Sequence, residues 1–360
     1  MIRRRPRSRP RYDRRVAPDS APIAASAPVV SVIIPAYNAE ATLGRQLEAL
    51  SRQRMDVEWE VIISENGSTD RTAAVARAWI GRLPLRIIDA SSRRGPSAAR
   101  NAGAIAARAP LLAFCDADDA VTDDWLAHLL PVLAKNPFVV TCARIESTYS
   151  TTERPLFDLV TTLRMPFLPE LPFGSSAHFA VQAEAFHHVG RFDETLRTAE
   201  DVDLSWRLQL GGYPLTECRS AIIDHSRRAG FAATVRQFMG YQQGRRQLQH
   251  RYALVIGEFD AARGGPPTQE RDGEVGVVVN SVDAVGVPAP ASRLGRLAHY
   301  LRDPDELRHF VRRVVRSSRI RAARSLGLAL GRHLGRIDTS HRQVPASLAH
   351  EYLDTERPFG

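Results

Sequence analysis

Short continuous apolar runs and segments of helical spacing alternate over the first third of the chain. Runs rich in β-branched residues and leucine predict buried strands of a parallel sheet at 29–35, 59–64, 85–90 and 111–115. Apolar residues three and four positions apart predict helices at 41–53, 70–83 and 95–109. Strands that alternate with helices in this way are typical of an α/β fold built on an open, mainly parallel sheet.

The pattern changes twice in the rest of the chain. From about 130 to 175 the periodicity weakens and proline becomes frequent, which predicts long loops. Order returns at 176–194 and again at 199–215, where Leu204 and Leu208 share one side of a helix. We therefore predict five segments, which are a disordered basic arm at 1–28, the α/β domain at 29–260, a linker at 261–290, a basic amphipathic helical extension at 291–345 and a tail at 346–360.

The formal charge of +9 favours two kinds of anionic partner, nucleic acid and membrane. The arginine clusters carry no helix-turn-helix, zinc or RNP-type signature, so a basic nucleic-acid-binding protein is the weaker hypothesis. Towards the C-terminus, apolar Leu307, Phe310 and Val314 share a helical face with arginines alongside. This face can lie on an anionic membrane, form a dimer or pack on the domain, and we favour packing.

Cysteine usage and hydropathy bear on the compartment. Cys115, Cys142 and Cys218 lie far apart and form no CxxC pair, so neither a disulfide framework nor a zinc site is expected. A polar, proline-rich stretch follows the basic N-terminus, and no run of about 18 apolar residues occurs. We therefore expect a cytoplasmic protein, at most peripheral to the inner face of the plasma membrane.

Polar clusters follow three of the predicted strands. Tyr37 and Asn38 come after the first strand, ENGSTD (65–70) after the second and DADD (116–119) after the fourth. In open α/β sheets, ligands bind beyond the carboxyl ends of the strands. Carboxylates two residues apart are hard donors suited to Mg²⁺ or Mn²⁺ with phosphate oxygens as further ligands, which favours a metal-bridged diphosphate. Alternatively, Asp118, Asp119 and Asp123 cap the helix that begins near Asp124.

A wider resemblance rests on segments that occur in order from Val30 to about His225, namely SVIIPAYNAE, ENGSTD, GPSAARNAG, FCDADD, HVGRFDE, AEDVDLSWRL and DHSRR. Together they resemble a family 2 glycosyltransferase with the GT-A fold, similar to the enzymes of bacterial cell-surface polysaccharide synthesis. The resemblance implies that the domain at 29–260 moves a sugar from a nucleotide-diphosphate sugar to a hydroxyl of a saccharide or lipid-linked acceptor, with inversion. It also implies Mn²⁺ or Mg²⁺ as the cofactor.

The same resemblance implies roles for residues of the donor site. Contacts with the nucleotide sugar are expected from Pro35, Ala36, Tyr37, Glu65, Asn66, Asp70, Arg100, Asn101, Asp116 and Ala117. Relatives usually begin the acidic turn with two aspartates, whereas this chain has Glu65 and Asn66. Asp70 has the alternative role of a helix cap. The metal site is expected to use Asp118 as direct ligand, His225 near the metal or diphosphate, Asp119 as a loop support and Arg228 beside the leaving group.

Asp201 matches the position of the general base in the family, and Glu200 before it is expected to bind the acceptor. A loop that borders the acceptor in relatives holds Phe192, Asp193 and Glu194. Structural alternatives stay open, because Glu200 and Asp201 are also suitable first-turn acids of a helix and Phe192 a suitable core anchor.

Two alternatives concern the protein as a whole. A catalytically degenerate, nucleotide-sugar-binding relative has the same overall pattern of segments. A nucleotidyltransferase or a dehydrogenase is disfavoured, because no glycine-rich loop follows the first strand.

Overall fold

The computed structural model describes residues 27–146, 157–226, 230–264, 319–320, 322–332 and 343–355. The strands are β1 (Val30–Ala36), β2 (Trp59–Glu65), β3 (Leu85–Asp89), β4 (Leu111–Cys115), β5 (Ala120–Val121), β6 (Phe138–Glu146), β7 (Phe157–Val160), β8 (Leu163–Met165), β9 (Leu168–Phe173), β10 (His178–Gln182) and β11 (Leu215–His225). The helices are α1 (Leu43–Ser51), α2 (Thr72–Arg77), α3 (Pro96–Ala106), α4 (Trp125–Leu133), α5 (Ala183–His188), α6 (Glu200–Leu210), α7 (Phe231–Arg251), α8 (Ala253–Ala262) and α9 (Ser347–Thr355). Residues 322–332 are also helical.

Nine of the described strands form one sheet in the order β3-β2-β1-β4-β10-β6-β11-β5, with β7 paired to β6. The pairs β1–β2, β2–β3, β1–β4 and β6–β11 are parallel, whereas β10 runs antiparallel between β4 and β6. The predicted α/β class is therefore confirmed, and the sheet is mixed, because the pairs β5–β11 and β6–β7 are antiparallel as well. Ala36 lies beside Glu65, and Glu65 beside Asp89, so β1, β2 and β3 end at the same edge.

Helices cover both faces of this sheet. On one face, α1 and α4 bury Leu47 and Trp125. On the other face, α3, α5 and α6 pack around a cluster that includes Phe114. A third cluster joins α6 to α8, where the Trp206 and Tyr252 ring centres are 4.9 Å apart. Burying each such side chain contributes roughly 1.5–3 kcal/mol, and these contacts fix where α3 and α6 meet the sheet edge.

The prediction of long loops from 130 to 175 is wrong, because α4 ends there and β6 to β9 follow. The weak periodicity has a physical cause. Val139 and Val140 are adjacent in β6 and both 0% exposed, so this strand is buried on both faces and does not alternate. The prolines of β9 lie in a strand that pairs, among the described residues, with β8 alone, and edge strands tolerate proline.

The helix predicted at 70–83 is shorter than expected, since α2 spans Thr72–Arg77 and Gly81 follows with a φ of +83°. The last helix of the predicted domain, α8, ends at Ala262. The basic arm before residue 27, most of the linker and the face of Leu307, Phe310 and Val314 lie outside the described residues. Within the described part of the chain, no helix is both long and apolar enough to cross a bilayer.

Candidate active site

The predicted polar clusters do meet at one edge of the sheet. Tyr37 follows β1 with half of its surface exposed, and the Arg94 guanidinium carbon lies 5.9 Å from the centre of its ring. Pro35 and Ala36 precede it at the end of β1, beside Ser64 and Glu65 of β2. An exposed aromatic face at a strand end is suited to stacking on a planar base.

The turn after β2 is held by its own acids. Glu65 accepts hydrogen bonds from the backbone N–H groups of Gly67, at 3.1 Å, and Ser68, at 2.6 Å. Asp70 accepts from the backbone N–H groups of Thr72, at 2.9 Å, and Glu40, at 3.1 Å. Asp70 therefore ties the start of α2 to the loop after β1, whereas the N-cap position of α2 is Arg71, which makes no side-chain cap hydrogen bond.

Asn66 is a correction to the predicted donor site. Its side chain is 4% exposed and ties the loop after β3 to the end of β2. The amide nitrogen donates to the carbonyls of Ala90, at 2.6 Å, and Arg93, at 2.9 Å, and the amide oxygen accepts from the Gly95 N–H, at 2.9 Å. Both ends of the amide are used within the protein, so Asn66 shapes the pocket and does not face a ligand.

The acidic loop brings three carboxylates together. Oxygens of Asp116, Asp118 and Asp119 all lie within 4.8 Å of one another. Asp119 is fully buried and accepts from the Ser226 N–H, at 2.9 Å, and from Nδ1 of His225, at 3.0 Å. Asp119 therefore supports the loop and orients His225, while Asp116 and Asp118 are partly exposed. Grouped oxygen donors of this kind fit Mg²⁺ or Mn²⁺.

His225 lies against this loop, and its role near a metal or diphosphate stays a prediction. Burial lowers the pKa of His225, but the hydrogen bond and charge of Asp119 and the charges of Asp116 and Asp118 outweigh it, so the pKa is raised. His178, which the sequence did not single out, lies nearby with its Nδ1 3.0 Å from the Thr141 carbonyl oxygen. Burial and the nearby charge of His225 lower the pKa of His178 to about 4, which keeps it neutral.

Two residues of α1 support the acidic loop and were missed by sequence reasoning. Gln46 is fully buried, donates to the Asp116 carbonyl at 3.4 Å and accepts from the Val121 N–H at 3.1 Å. Arg45 donates to the Asp118 carbonyl at 2.5 Å and also to the Ser226 hydroxyl. The sequence did contain a signal for Gln46, because this glutamine lies next to the leucine face of a predicted helix. A polar side chain that is buried there needs a hydrogen-bond partner inside the protein.

Arg100 links the acidic loop to the start of α6. Its side chain is 4% exposed, with Nη2 2.7 Å from Oδ1 of Asp116 and Nη1 3.4 Å from Oε1 of Glu200. Burial lowers the pKa of Arg100, but the charges of Asp116, Glu200 and Asp201 outweigh it, so the guanidinium stays charged. A single buried cation thus holds together the two groups of acids that the sequence placed far apart.

The acids at the start of α6 have perturbed pKa values. Burial raises the pKa of Glu200 to about 7, the charge of Asp201 adds to this effect and Arg100 partly offsets it. Burial also raises the pKa of Asp201, against the opposing hydrogen bond from the Val202 N–H and the charge of Arg100. Ala199 precedes the pair in the left-handed conformation, with a φ of +64°. A carboxylate whose pKa lies closer to neutral is a stronger base.

The loop after α5 has a structural role that sequence reasoning assigned only in part. The Phe192 side chain is 2% exposed and its ring centre lies 5.7 Å from that of Phe114, so its predicted contact with an acceptor sugar is wrong and the core-anchor alternative holds. The Asn101 amide donates to the Phe192 carbonyl at 2.9 Å and to Glu194 at 2.8 Å, and its oxygen accepts from the Phe192 N–H. Asn101 therefore clips this loop to α3 and does not face the donor edge.

Asp193 and Glu194 are both paired within the protein. Glu194 lies 2.8 Å from Nη1 of Arg93, and Asp193 lies 2.6 Å from Nη1 of Arg251. Burial raises the pKa of Asp193, but hydrogen bonds from Thr195 and Arg251 outweigh it and bring the pKa to about 2. A cavity of about 340 Å³ opens beside these residues. Arg228 lies outside the described residues.

Residues 31–190 match the family model for "Glycosyl transferase family 2". Validoxylamine A glucosyltransferase of Streptomyces hygroscopicus subsp. jinggangensis is 31% identical over 234 residues, covering 54% of this chain and 54% of that protein. Glycosyltransferase AglE of Haloferax volcanii is 28% identical over 227 residues, covering 62% of this chain and 74% of that protein. The chain thus spans about half the length of the validoxylamine A glucosyltransferases that it matches.

Solved structures with a similar course of the chain were also found. Staphylococcus aureus TarS 1–349 in complex with UDP-GlcNAc is 19% identical, with a TM-score of 0.47, over 59% of this chain and 64% of that chain. The mannosyltransferase PcManGT of Pyrobaculum calidifontis, in complex with GDP-Man and Mn²⁺, is 17% identical, with a TM-score of 0.47, over 91% of this chain and 85% of that chain. Likeness at this level concerns the fold alone.

Proposed function

We propose that the protein transfers a sugar from a nucleotide-diphosphate sugar to an acceptor hydroxyl, because residues 31–190 match the family model for glycosyl transferase family 2. The observation that supports this most directly is the position of Arg100 between Asp116 and Glu200, next to Asp201. A donor diphosphate held at the acidic loop would then have its sugar directed toward the carboxylates of α6. These two groups of acids would then form the two parts of a displacement site.

The donor would lie along the ends of β1, β2 and β4. Tyr37 would stack on the base, with Pro35 and Ala36 lining the pocket and Glu65 closing its turn. Asp118, together with Asp116 and His225, would hold Mn²⁺ or Mg²⁺, which supplies positive charge against the departing nucleotide diphosphate. Ala117, which lies between these acids in the sequence, would border the ribose, although its side chain is 7% exposed and packs in the core.

Asp201 is the proposed general base. It would take the proton of the acceptor hydroxyl while that oxygen attacks the anomeric carbon. The bond from this carbon to the nucleotide diphosphate breaks with its electron pair on the diphosphate, and the new glycosidic bond has the inverted configuration. Glu200 would contact the acceptor, and Asp193 and Glu194 would border the acceptor through the loop that they hold in place.

The acceptor class stays a saccharide or a lipid-linked saccharide. Contact with an anionic membrane and a cytoplasmic location stay predictions, since the apolar face around Leu307 lies outside the described residues. The second candidate function is a degenerate relative that binds the nucleotide sugar without transfer. The departures at Glu65 and Asn66 favour it, and the complete set of Asp116, Asp118 and Asp201 disfavours it.

The test is release of nucleotide diphosphate from a panel of UDP-, GDP- and dTDP-sugars in the presence of Mn²⁺, Mg²⁺ or EDTA. Asp118→Asn is expected to lose metal-dependent donor binding. Asp201→Asn is expected to lower turnover by about 10²- to 10⁴-fold with donor affinity almost unchanged. The matched control is Asp123→Asn, because Asp123 is 67% exposed and pairs with Arg52 on the surface.

Three results would count against the proposal. Full turnover by Asp201→Asn would exclude Asp201 as the general base. Turnover that persists in EDTA would exclude a requirement for the metal. Tight, metal-dependent donor binding by the wild type without release or transfer establishes the degenerate alternative.

A further inference from the structure

Helix α7 touches the turn that precedes Glu200 and Asp201. The Thr198 hydroxyl donates to the Gly240 carbonyl at 2.9 Å. One turn further along α7, a Cβ on Gly244 would lie 2.6 Å from the Thr198 hydroxyl oxygen and 3.0 Å from the Ala199 Cβ. Any side chain at position 244 would therefore displace this turn, because real Cβ atoms are not found so close to other atoms.

The turn itself is strained where α7 contacts it. Ala199 has a φ of +64°, a conformation that costs an alanine about 1–2 kcal/mol. It is held in place, since its carbonyl accepts the first helical hydrogen bond of α6 from the Asp203 N–H at 3.1 Å. The orientation of Ala199 sets the direction in which Glu200 and Asp201 leave the backbone, and strain of this kind persists only where the surroundings impose it.

A second helix contacts α7 on the side away from this turn. A Cβ on Gly327 would lie 2.5 Å from the Val235 carbonyl oxygen, and a Cβ on Gly331 would lie 2.7 Å from that of Met239. Phe238 and Gln242 make further contacts of this kind, and at 100° per residue the four α7 positions together lie about 170° around the helix from Gly240 and Gly244. Arg246 also donates to the Arg332 carbonyl, at 3.1 Å, and the Arg324 guanidinium carbon lies 5.4 Å from the Phe238 ring centre. Helix α7 is therefore enclosed between the turn and residues 322–332.

We propose that Thr198 and Gly244 are positioning residues for the Glu200–Asp201 pair, and that residues 322–332, by fixing α7, belong to the same catalytic unit. This inference rests on the proposed function, because it takes Asp201 as the base. The C-terminal segment then acts on the reaction without touching donor or acceptor. Its contact with the site is the backbone of α7, which it holds against the turn.

The variants follow from these contacts. Thr198→Val removes the hydroxyl, whereas Thr198→Ser retains it and should restore the wild-type behaviour. Gly244→Ala pushes on the turn from α7, and Gly327→Ala pushes on α7 from the far side. Gly257→Ala is the matched control, because Gly257 also lies in a helix and its Cβ would meet no atom within 4 Å.

The first measurement is hydrogen exchange of the ligand-free full chain, which needs no activity. Exchange of the amides at 199–203 is expected to rise roughly tenfold in Thr198→Val, about the worth of one hydrogen bond. The same direction is expected in Gly244→Ala and Gly327→Ala, with no change in Gly257→Ala or in the amides of β1. Unchanged exchange at 199–203 in Gly244→Ala would overturn the inference.

The second measurement separates kcat from the donor KM. In Gly244→Ala and Thr198→Val, kcat is expected to fall by about 10- to 100-fold while the donor KM stays within about twofold, because misplacing a catalytic group affects the chemical step. Thr198→Ser should recover most of kcat. If instead kcat falls only in step with a lower melting temperature and Thr198→Ser gives no recovery, the residues are structural and the inference is wrong. If the wild type is inactive with every donor while exchange responds as expected, the proposed function fails and the coupling through α7 stands.

Discussion

Replacing Glu200 with glutamine is expected to stabilise the folded protein above neutral pH. Burial raises the pKa of Glu200 from its ordinary value of 4.5 to about 7, and the side chain is 12% exposed, so solvent screens it little. Between these two pKa values, the folded state keeps a proton that the unfolded state has released. The free energy of unfolding therefore falls as pH rises through this window, by about 1.4 kcal/mol per pH unit and about 3 kcal/mol in total.

Glutamine has nearly the same shape and does not titrate. Urea unfolding of the metal-free protein at several pH values from 4 to 8.5 should therefore show two curves that diverge. Near pH 4 the wild type and Glu200→Gln should differ little, and at pH 8.5 the variant should be more stable by about 3 kcal/mol. The difference between the curves, rather than either curve alone, isolates Glu200 from all other titrating groups.

Asp193 supplies a control of opposite sign. Its pKa is lowered from 3.8 to about 2, because hydrogen bonds from Thr195 and Arg251 outweigh the effect of burial. Its contribution to stability is present above pH 3.8 and is lost as pH falls toward 2. Asp193→Asn should therefore destabilise the protein by about 2 kcal/mol at pH 7 and by little near pH 2.

A difference between wild type and Glu200→Gln that does not change with pH would refute the reasoning. It would mean that the Glu200 carboxyl titrates as in the unfolded chain, and that Arg100 and solvent together compensate its burial. The expected result would show that the start of α6 is less stable in the native sequence than it could be. Such a loss is common where an acid is kept for chemistry.

Three further predictions concern single contacts. Phe192→Ala should lower the free energy of unfolding by about 3–5 kcal/mol by leaving a cavity, while Phe192→Leu costs less than about 1.5 kcal/mol. A stable Phe192→Leu with a raised acceptor KM would revive the acceptor role. Asp203→Ala should cost about 3–5 kcal/mol in thermal unfolding, since it removes the buried carboxylate that Arg251, Arg207 and the Tyr252 hydroxyl contact, and a loss below 1 kcal/mol would contradict this. Asp119→Asn should weaken Mn²⁺ binding about 10- to 100-fold in calorimetry through His225, and unchanged affinity would show that His225 is oriented by other groups.

The strands that are buried on both faces and carry unbroken apolar runs were predictable from the sequence. Residues of β1, β2 and β4 are buried on both faces, and their unbroken apolar runs follow directly from that burial. Strand β6 was missed by the same rule, because Thr141, Arg144 and Glu146 interrupt its apolar run and prolines lie nearby in the sequence. Helix α7 escaped notice for a different reason. Its surface toward the turn is made of glycine, which gives no hydrophobic period.

The candidate site was predictable in position and less so in the role of each residue. A polar residue at a strand end can contact a ligand or hold a loop in place by hydrogen bonds. Which of the two roles it has depends on partner residues far along the chain. The Asn101 side chain donates a hydrogen bond to Phe192, 91 residues away, and the Asn66 side chain accepts one from Gly95, 29 residues away. By contrast, the spacing of Asp116 and Asp118 is local and places both acids on one short loop, and those acids do lie together.

The order of the strands has a consequence for how the protein is made. Strand β10 separates β4 from β6, so β4 stays an open edge during synthesis until residues 178–182 have left the ribosome. The acidic loop closes later still, since Asp119 waits for Ser226, 107 residues further along. Pairings between distant segments form slowly. We therefore expect the nascent chain to bury much of its hydrophobic core before the candidate site is complete, and the strand edge exposed in the meantime favours aggregation.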